Sequence, residues 1–552
     1  MTRKRTSAAD PCVIRFVVIT MDNHLGGVVE RARQRLTREL PGLELSLHAS
    51  ADWENDPDAL AACKRDIARA DIVFANMLFL EDQIRAVLPE LEARREHCDA
   101  LVGCLSGPEI IRLTRLGEFR MDRPERGVVA LLKRLRGSKG KNQSSGAKQM
   151  ALLRRLPKLL RLIPGTAQDV RAYFLVLQYW LAGSDENIAN LIRFLVNRYA
   201  SGARSSLRGA LQVDPPIEYP DNGIYHPDLP ERIIEDPRRL EKLKPAATTV
   251  GVLVMRSYVL AGDTAHYDQV IRSLEARGHR VVPVFASGLD SRPAIERCSV
   301  RKGQPTIDAL LSLTGFSLVG GPAFNDSAAA QDVLSELDVP YISAQAIEFQ
   351  TLDQWEDSAR GLMPVESTIM VAIPELDGAT GPMVFGGRRE LDGGLKMAGV
   401  TDRIEMLTER VHRLVKLRKT PRADRNLAVV LFNFPPNSGA TGTAAFLAVF
   451  ESVFNTLKGL RDAGYTVELP KDAKDLHDQI VHGNAGRFGT DANVCHRVAV
   501  DDHVRREPHL DAIESQWGAA PGRQLTDGRS LFVQGAHFGR VFVGIQPGFG
   551  YE

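Results

Sequence analysis

The strongest chemical signal in the sequence is a glycine-containing segment between an apolar run and a helical pattern. It reads NFPPNSGATGT and covers residues 433–443. A strand that leads through glycines into a helix is a common phosphate site, because free backbone amides point outward there. A nucleotide P-loop also requires GxxxxGK[ST], in which lysine neutralises phosphate and the hydroxyl holds magnesium. The segment contains no lysine, so we do not expect it to bind ATP.

A second glycine segment, GKNQSSGAK at residues 140–148, fails the same test. It has one residue too many between its glycines, an alanine before its lysine, and no strand pattern ahead of it. Neither segment is a Walker A motif. We therefore expect no ATPase activity within this chain.

The segment at residues 433–443 has two interpretations that local chemistry leaves open. Gly439 and Gly442 mark a strand-to-helix turn, and Thr441 or Thr443 could cap the following helix. Such a helix N-terminus attracts carboxylates as well as phosphates. A tight turn that needs glycine for positive φ explains the same residues equally well.

Two carboxylates in the segment IPELDG are candidate metal ligands. Glu375 and Asp377 could offer oxygen atoms to Mg²⁺ or Ca²⁺, which prefer such ligands. Carboxylates two residues apart after a strand are also common in plain turns, and we favour the turn.

Histidines are concentrated near the end of the chain, where five of the 13 fall within residues 477–509. Zinc sites usually pair ligands at tighter, repeated spacing, and no cysteine pair accompanies these histidines. Solvated or core histidines are therefore the favoured interpretation, and the same holds for His266 and His537, which stand beside loops. The five are His477, His482, His496, His503 and His509.

Composition indicates an ordinary soluble globular protein. The 552 residues are 44% hydrophobic and 25% charged, with 70 basic against 69 acidic side chains. This balance gives no sign of a nucleic-acid partner. The six cysteines include no CxxC pair, which favours reduced, buried thiols in a cytosolic protein. The N-terminus lacks the apolar stretch of an export signal, and no run is long enough for a transmembrane helix.

The pattern of short apolar runs and helical segments predicts a multidomain α/β protein. From residue 13 to 104 strands and helices alternate, which indicates parallel βαβ units in a doubly wound sheet. Leucine-rich helical patterns then interrupt the alternation before it resumes, so we predict doubly wound parallel sheets with a helical insertion. The predicted parts are an α/β domain at 1–125, a basic helical region at 126–210, a proline-rich linker at 211–247, a second α/β domain at 248–425, and the start of a further α/β domain at 426–552.

The helical insertion is strongly basic. Residues 126–168 contain no acid, whereas ten lysines and arginines fall within residues 133–161. Such a run could dock an anionic partner or lipid headgroups. A solvated basic loop and helix face is the favoured alternative.

Seven longer segments carry a family resemblance across nearly the whole chain. They are MDNHLGGVVERA, CLSGPEIIRLTRLGEFRM, HYDQVIRSLEARGHRVVPVFASGLDSRPAI, LVGGPAFNDSAAAQDVLSELDVPYI, VAIPELDG with VFGGR, NFPPNSGATGTAAF, and VFVGIQPGFGYE. Together, and in this order, they resemble the large H subunit of magnesium chelatase, a porphyrin-binding subunit. The related large subunit of aerobic cobaltochelatase shares elements like GLDSRPAI and PELDG. The segments NFPP with GTAAF and MDNHLGGVVERA favour the magnesium type.

The resemblance implies ATP-dependent insertion of Mg²⁺ into protoporphyrin IX, in the synthesis of chlorophyll or bacteriochlorophyll. Mg²⁺ and protoporphyrin IX would be substrates. Because this chain has no Walker motif, ATP would be hydrolysed by partner subunits, the AAA+ I subunit and the D subunit. The alternative is a cobaltochelatase-type subunit that inserts cobalt into a corrinoid precursor. We expect a bacterial cytoplasmic protein, with peripheral membrane attachment left open.

The resemblance also points to a fragment. Members of that family are more than twice as long, so we expect an N-terminal portion that is inactive alone, with the metal-insertion residues beyond residue 552. A docking module that touches partners through residues 133–161 is a second hypothesis, and a free-standing α/β enzyme is a disfavoured third. The predicted porphyrin-binding residues are Asn433, Gly439, Gly442, Thr443, Gln546 and Tyr551.

Overall fold

The computed structural model describes most of the chain in seven stretches. Tyr551 and most of the basic region lie outside them, and of its ten basic residues only Lys158 and Arg161 are described, both exposed. The chain divides into two compact units, Met1–Val415 and Lys416–Glu552. The described residues are 12–21, 26–53, 56–122, 156–321, 324–391, 394–433 and 439–547.

The first unit opens with a six-stranded sheet in the order β2-β1-β3-β4-β5-β6. Strands β1 to β4 are parallel, and the short β5 and β6 are antiparallel. This confirms the predicted doubly wound arrangement. The strands are β1 (Ile14–Thr20), β2 (Leu43–Ala49), β3 (Ile72–Asn76), β4 (Ala100–Cys104), β5 (Arg115–Leu116) and β6 (Phe119–Arg120).

Helices cover both faces of this sheet because alternate residues of β1 point to opposite sides. Phe16 and Val18 enter one apolar core, whereas Val17 and Ile19 enter another. The helical insertion packs into the first of these cores, where the Phe74 and Trp180 rings lie 4.8 Å apart. The helices are α1 (Gly26–Leu36), α2 (Pro57–Arg69), α3 (Glu81–Arg94), α4 (Pro108–Arg112), α5 (Ala167–Ala182) and α6 (Asp185–Tyr199), with 3₁₀ turns at Ser50–Asp52 and Gly202–Leu207.

An eight-stranded sheet forms the rest of the first unit, in the order β18-β17-β16-β13-β9-β10-β7-β8. Its five central strands are parallel, and its outer strands are antiparallel. The strands of this sheet and its two small hairpins are β7 (Asn222–Tyr225), β8 (Ile233–Ile234), β9 (Thr248–Leu253), β10 (His279–Ala286), β11 (Val300–Arg301), β12 (Gln304–Pro305), β13 (Ala309–Ser312), β14 (Gly320–Gly321), β15 (Phe324–Asn325), β16 (Tyr341–Thr351), β17 (Thr380–Leu391) and β18 (Gly394–Gly399).

The stretch 211–247 is more ordered than the predicted linker. It supplies β7 and β8 at the edge of the second sheet, because Ile224 and Tyr225 are apolar enough to be buried there. The helices of this region are α7 (Pro237–Leu243), α8 (Arg256–Ala261), α9 (Ala265–Ala276), α10 (Arg292–Ser299), α11 (Ser327–Leu337), α12 (Leu352–Glu356), α13 (Pro364–Glu366), a π-helical turn (Ser367–Ala372), α14 (Ile373–Asp377) and α15 (Thr401–Lys419).

The second unit contains a four-stranded sheet in the order β19-β22-β21-β20. Only β19 and β22 run parallel. The segment YTVEL at residues 465–469 has no regular structure. The elements are β19 (Leu427–Leu431), β20 (Val494–Ala499), β21 (Ser530–Phe538), β22 (Val541–Ile545), α16 (Val449–Asp462), α17 (Ala473–His477), a π-helical turn (Asp478–His482), α18 (Ala485–Phe488), α19 (Val500–Arg506) and α20 (Leu510–Trp517), with a 3₁₀ turn at Arg422–Asp424.

Within the described stretches, every helix is too short or too polar to cross a lipid bilayer.

Candidate functional site

The candidate site lies in the second unit, at the edge where two parallel strands end. Strands β19 and β22 are neighbours, with Leu431 opposite Ile545. Asn433 follows the first strand closely, and Gln546 directly follows the second. The Gln546 amide donates to the carbonyl of Leu431 at 3.0 Å. Two of the predicted residues, 113 positions apart in sequence (546 − 433), therefore share one sheet edge.

A compact turn at residues 439–443 returns to the end of β19. The Gly442 amide donates to the Phe432 carbonyl at 2.9 Å. The hydroxyl and amide of Thr443 both donate to the Ala440 carbonyl, at 2.8 and 3.0 Å. Gly442 has a φ of +68°, which disfavours any residue with a Cβ atom. The structure thus has the tight turn that was one of the two open interpretations.

The Asn433 side chain stabilises this turn through a hydrogen bond. Its side chain is buried, and its Oδ1 atom accepts a hydrogen bond from the Thr441 hydroxyl at 3.3 Å. Gly439, by contrast, is exposed at the start of the described turn. Tyr551 lies outside the described residues, as do residues 434–438. The porphyrin-binding role of all six predicted residues stays a prediction.

The predicted helix start is wrong. Helix α16 begins at Val449, and its N-cap Ala448 makes no side-chain cap. The threonines bind within the turn instead, so the helix N-terminus is not presented directly after the glycines. The reason is Phe446, which has a positive φ of 61° and interrupts the helical path. The Phe446 ring is fully exposed, whereas Val453 and Leu457 of the helix are buried.

Large apolar side chains next to the turn in sequence are exposed. Phe432 and Leu447 are more than half exposed, and Phe446 is fully exposed. Val430, on strand β19, is also largely exposed. Exposed apolar side chains of this size are typical of a binding site when they form one surface. The sequence signal for it lies in LFNF and AAFL, which carry large apolar residues on both sides of the turn.

The two predicted metal ligands lie in the first unit and have different surroundings. They belong to helix α14, which follows a π-helical turn rather than a strand. The Asp377 carboxylate is buried, and its Oδ2 atom accepts from the Ser317 hydroxyl at 2.8 Å and the Leu318 amide at 2.7 Å. Burial raises the pKa of Asp377. Glu375 is exposed. A metal role for this pair stays a prediction.

One of the two histidines beside loops, His266, is a core histidine. The His266 ring is fully buried and lies 3.7 Å from the ring centre of Tyr267. Tyr258 and Phe385 complete an aromatic enclosure, with ring centres at 5.6 and 5.9 Å. Neither ring nitrogen has a hydrogen-bond partner in the described part of the chain. Burial lowers the pKa of His266 to about 3, so the ring is neutral at physiological pH.

Comparison with known proteins identifies the family. Residues 177–552, more than half of the chain, match the family described as CobN/Magnesium Chelatase. The chain belongs to the CobN/magnesium chelatase family. Residues 15–174 also match a domain of unknown function (DUF3479), which covers nearly all of the first sheet and the first half of α5.

Among family members, the chain is 50% identical to the H subunit of magnesium chelatase from Cereibacter sphaeroides. That match covers 97% of this chain but 46% of the relative, so the chain spans about half of the relative's length. It is 27% identical to the CobN protein of aerobic cobaltochelatase from Pseudomonas aeruginosa, over 61% of the chain and 28% of the relative.

A solved structure supports the fold of this family member. The catalytic subunit of cobaltochelatase from Mycobacterium tuberculosis superimposes with a TM-score of 0.57. The match covers 97% of this chain and 39% of that chain, at 19% sequence identity. At this identity the likeness concerns the fold alone, which is α/β and multidomain.

Proposed function

We propose that this chain forms the porphyrin-binding part of the H subunit of a magnesium chelatase, which inserts Mg²⁺ into protoporphyrin IX for chlorophyll or bacteriochlorophyll synthesis. The observation that carries the proposal is the identity of 50% over 97% of the chain to a magnesium-chelatase H subunit. The CobN protein of cobaltochelatase reaches 27% over 61%. The cobalt alternative is therefore disfavoured.

The chemistry of the reaction explains why other subunits would take part. Mg²⁺ loses its water shell reluctantly and prefers oxygen ligands. Two pyrrole protons must also leave the macrocycle, so an energy source is needed. Because the chain has no P-loop, ATP would be hydrolysed by partner subunits, an AAA+ I subunit and a D subunit. The proposed location is the cytoplasm.

The exposed apolar surface beside the glycine turn fits a flat, largely apolar macrocycle. Phe432 and Phe446 offer aromatic rings for stacking. Gln546 adds a polar side chain at the same sheet edge, suited to a propionate. We assign an indirect role to Asn433, Gly442 and Thr443. Their contacts fix the shape of the turn and do not reach the porphyrin themselves.

Replacing Gly442 with leucine tests this assignment. A Cβ atom there would lie 3.3 Å from the Phe450 ring and 3.3 Å from Val449, with φ at +68°. The turn must therefore move, and we expect protoporphyrin IX to bind at least about tenfold more weakly, a loss of about 1.4 kcal/mol. Quenching of tryptophan fluorescence during a porphyrin titration measures the affinity.

The matched control is Gly459→Leu, in helix α16 of the same unit. A Cβ atom at Gly459 meets nothing within 4 Å, so binding should be unchanged. If Gly442→Leu and wild type bind porphyrin equally, the turn is not part of the site. Gly442→Leu must also keep the wild-type circular dichroism spectrum for its weaker binding to count as support.

A further inference from the structure

A π-helical turn in the second unit brings two histidines and an aspartate together. The turn Asp478–His482 directly follows His477, the last residue of α17. The Gly483 amide donates to the Asp478 carbonyl at 2.9 Å, five residues back. In an α-helix, residues five apart point about 140° away from each other. The wider turn places the His477 and His482 rings on one side, with centres 5.4 Å apart.

The donor atoms of these three side chains are spaced as a metal site requires. His477 Nδ1 lies 3.3 Å from Asp478 Oδ1, and His482 Nε2 lies 3.8 Å from the same oxygen. All three ligand atoms fall within 4.8 Å of one another. Tetrahedral zinc, with bonds of about 2.0–2.2 Å, holds its ligand atoms about 3.3–3.6 Å apart. Small rotations of exposed side chains would close the remaining gap.

The charge around the group also suits a cation. In the described stretches, the ion-pair partners of Asp478 are His477 and His482, and no lysine or arginine pairs with it. The side chains are 37%, 48% and 70% exposed for His477, Asp478 and His482. An ion could therefore enter from solution and keep water at a fourth position.

A second cluster in the first unit has comparable ligand spacing but the opposite charge balance. It contains His226, Asp228 and Glu275. Lys244 binds both carboxylates, at 2.6 and 3.2 Å, and Arg272 pairs with both as well. Its acids are thus already neutralised by protein cations. The cluster in the π-helical turn is therefore the better candidate for a metal site.

We propose that His477, Asp478 and His482 bind a divalent transition-metal ion of the zinc class. Imidazole nitrogen suits zinc, nickel and copper, whereas Mg²⁺ favours oxygen ligands. The site is therefore distinct from the handling of Mg²⁺ in the proposed function. The Phe450 ring contacts His477, with centres 4.7 Å apart, and Phe450 also borders Gly442. A bound ion would fix His477 beside the glycine turn.

Calorimetric titration of the 552-residue chain with Zn²⁺, without porphyrin, tests the proposal. We expect one Zn²⁺ per chain and no binding of Mg²⁺ at the same concentration. His477→Ala and His482→Ala should each weaken Zn²⁺ binding at least about tenfold, because each removes a ligand. His482 is mostly exposed, so its removal should leave the fold intact.

The control is the double variant His503→Ala/His509→Ala, which removes two histidines of the same unit outside the cluster. It should bind Zn²⁺ like wild type. Equal affinities for all variants, or equal losses in the control, would overturn the proposal. Co²⁺ adds a second readout: an intense sulfur-to-cobalt absorption band would place the ion on a cysteine and reject the site.

Discussion

Replacing Asp99 with alanine should destabilise the first unit by about 3–5 kcal/mol, the range expected when one partner of a buried ion pair is removed. The Asp99 side chain, just before β4, is 3% exposed. It accepts hydrogen bonds from the Ser201 amide at 3.1 Å and from Arg204 Nε and Nη2 at 3.0 and 3.2 Å. These bonds hold the segment after α6 against the first sheet.

The effect is large because Arg204 would lose most of its compensation. Hydrogen bonding to Asp99 raises the pKa of Arg204, so the charged form is the one that folding stabilises. Asp71 would be the remaining partner, 3.2 Å from Arg204 Nη1. Urea denaturation followed by circular dichroism measures the loss. In the control Glu44→Ala, an exposed ion pair with Arg15 is removed, and less than about 1 kcal/mol should be lost. Equal losses in both variants would contradict the role of Asp99.

Replacing His266 with phenylalanine should make the first unit less sensitive to acid. The folded pKa of His266 is about 3, lowered by burial, against about 6.5 in an unfolded chain. Between these values the unfolded chain binds more protons, so wild-type stability falls as pH decreases from about 6.5 towards 3. The slope from one histidine reaches about 1.4 kcal/mol per pH unit.

From pH 7.5 to pH 5 this group therefore accounts for a loss of about 2 kcal/mol in wild type. Phenylalanine fits the enclosure of Tyr258, Tyr267 and Phe385 and removes the proton site. It also removes two buried nitrogens without partners, so stability at pH 7.5 should rise by about 1 kcal/mol. Urea denaturation at both pH values measures the difference. An unchanged pH slope in His266→Phe, or the same change in the exposed control His509→Phe, would refute this account.

The sheets were predictable because their strands carry strong local signals. The run VIRFVVIT has apolar residues on both faces, as a strand between two helical layers requires. The packing of α5 against this sheet was not predictable, since it depends on contacts such as that of Trp180 with Phe74, 106 residues apart (180 − 74). Local patterns carry no information about such distant partners.

The candidate site was also predictable only in part, although the residues of its turn are close together in sequence. The glycine turn was visible, but the start of α16 was placed too early because the periodicity of Phe446 and Phe450 fits a helix. The positive φ of Phe446 is incompatible with an α-helix at that position, despite the pattern. His477 and His482 were interpreted as solvated or core histidines, because zinc ligands usually have a tighter, repeated spacing and no cysteine pair accompanies them. The π-helical turn that aligns them has no recognised sequence signature here.

The central claim is that this chain binds a porphyrin, as part of a magnesium chelatase, and not a corrinoid. A direct comparison of the two ligands tests it. Protoporphyrin IX and a metal-free corrinoid would each be titrated into the 552-residue chain, with tryptophan quenching and ligand absorbance as readouts. The chain contains four tryptophans for this purpose. We predict saturable binding of protoporphyrin IX and binding of the corrinoid at least about tenfold weaker. Equal or tighter corrinoid binding, or no spectral change with porphyrin while ATPase partners still bind, would contradict the account.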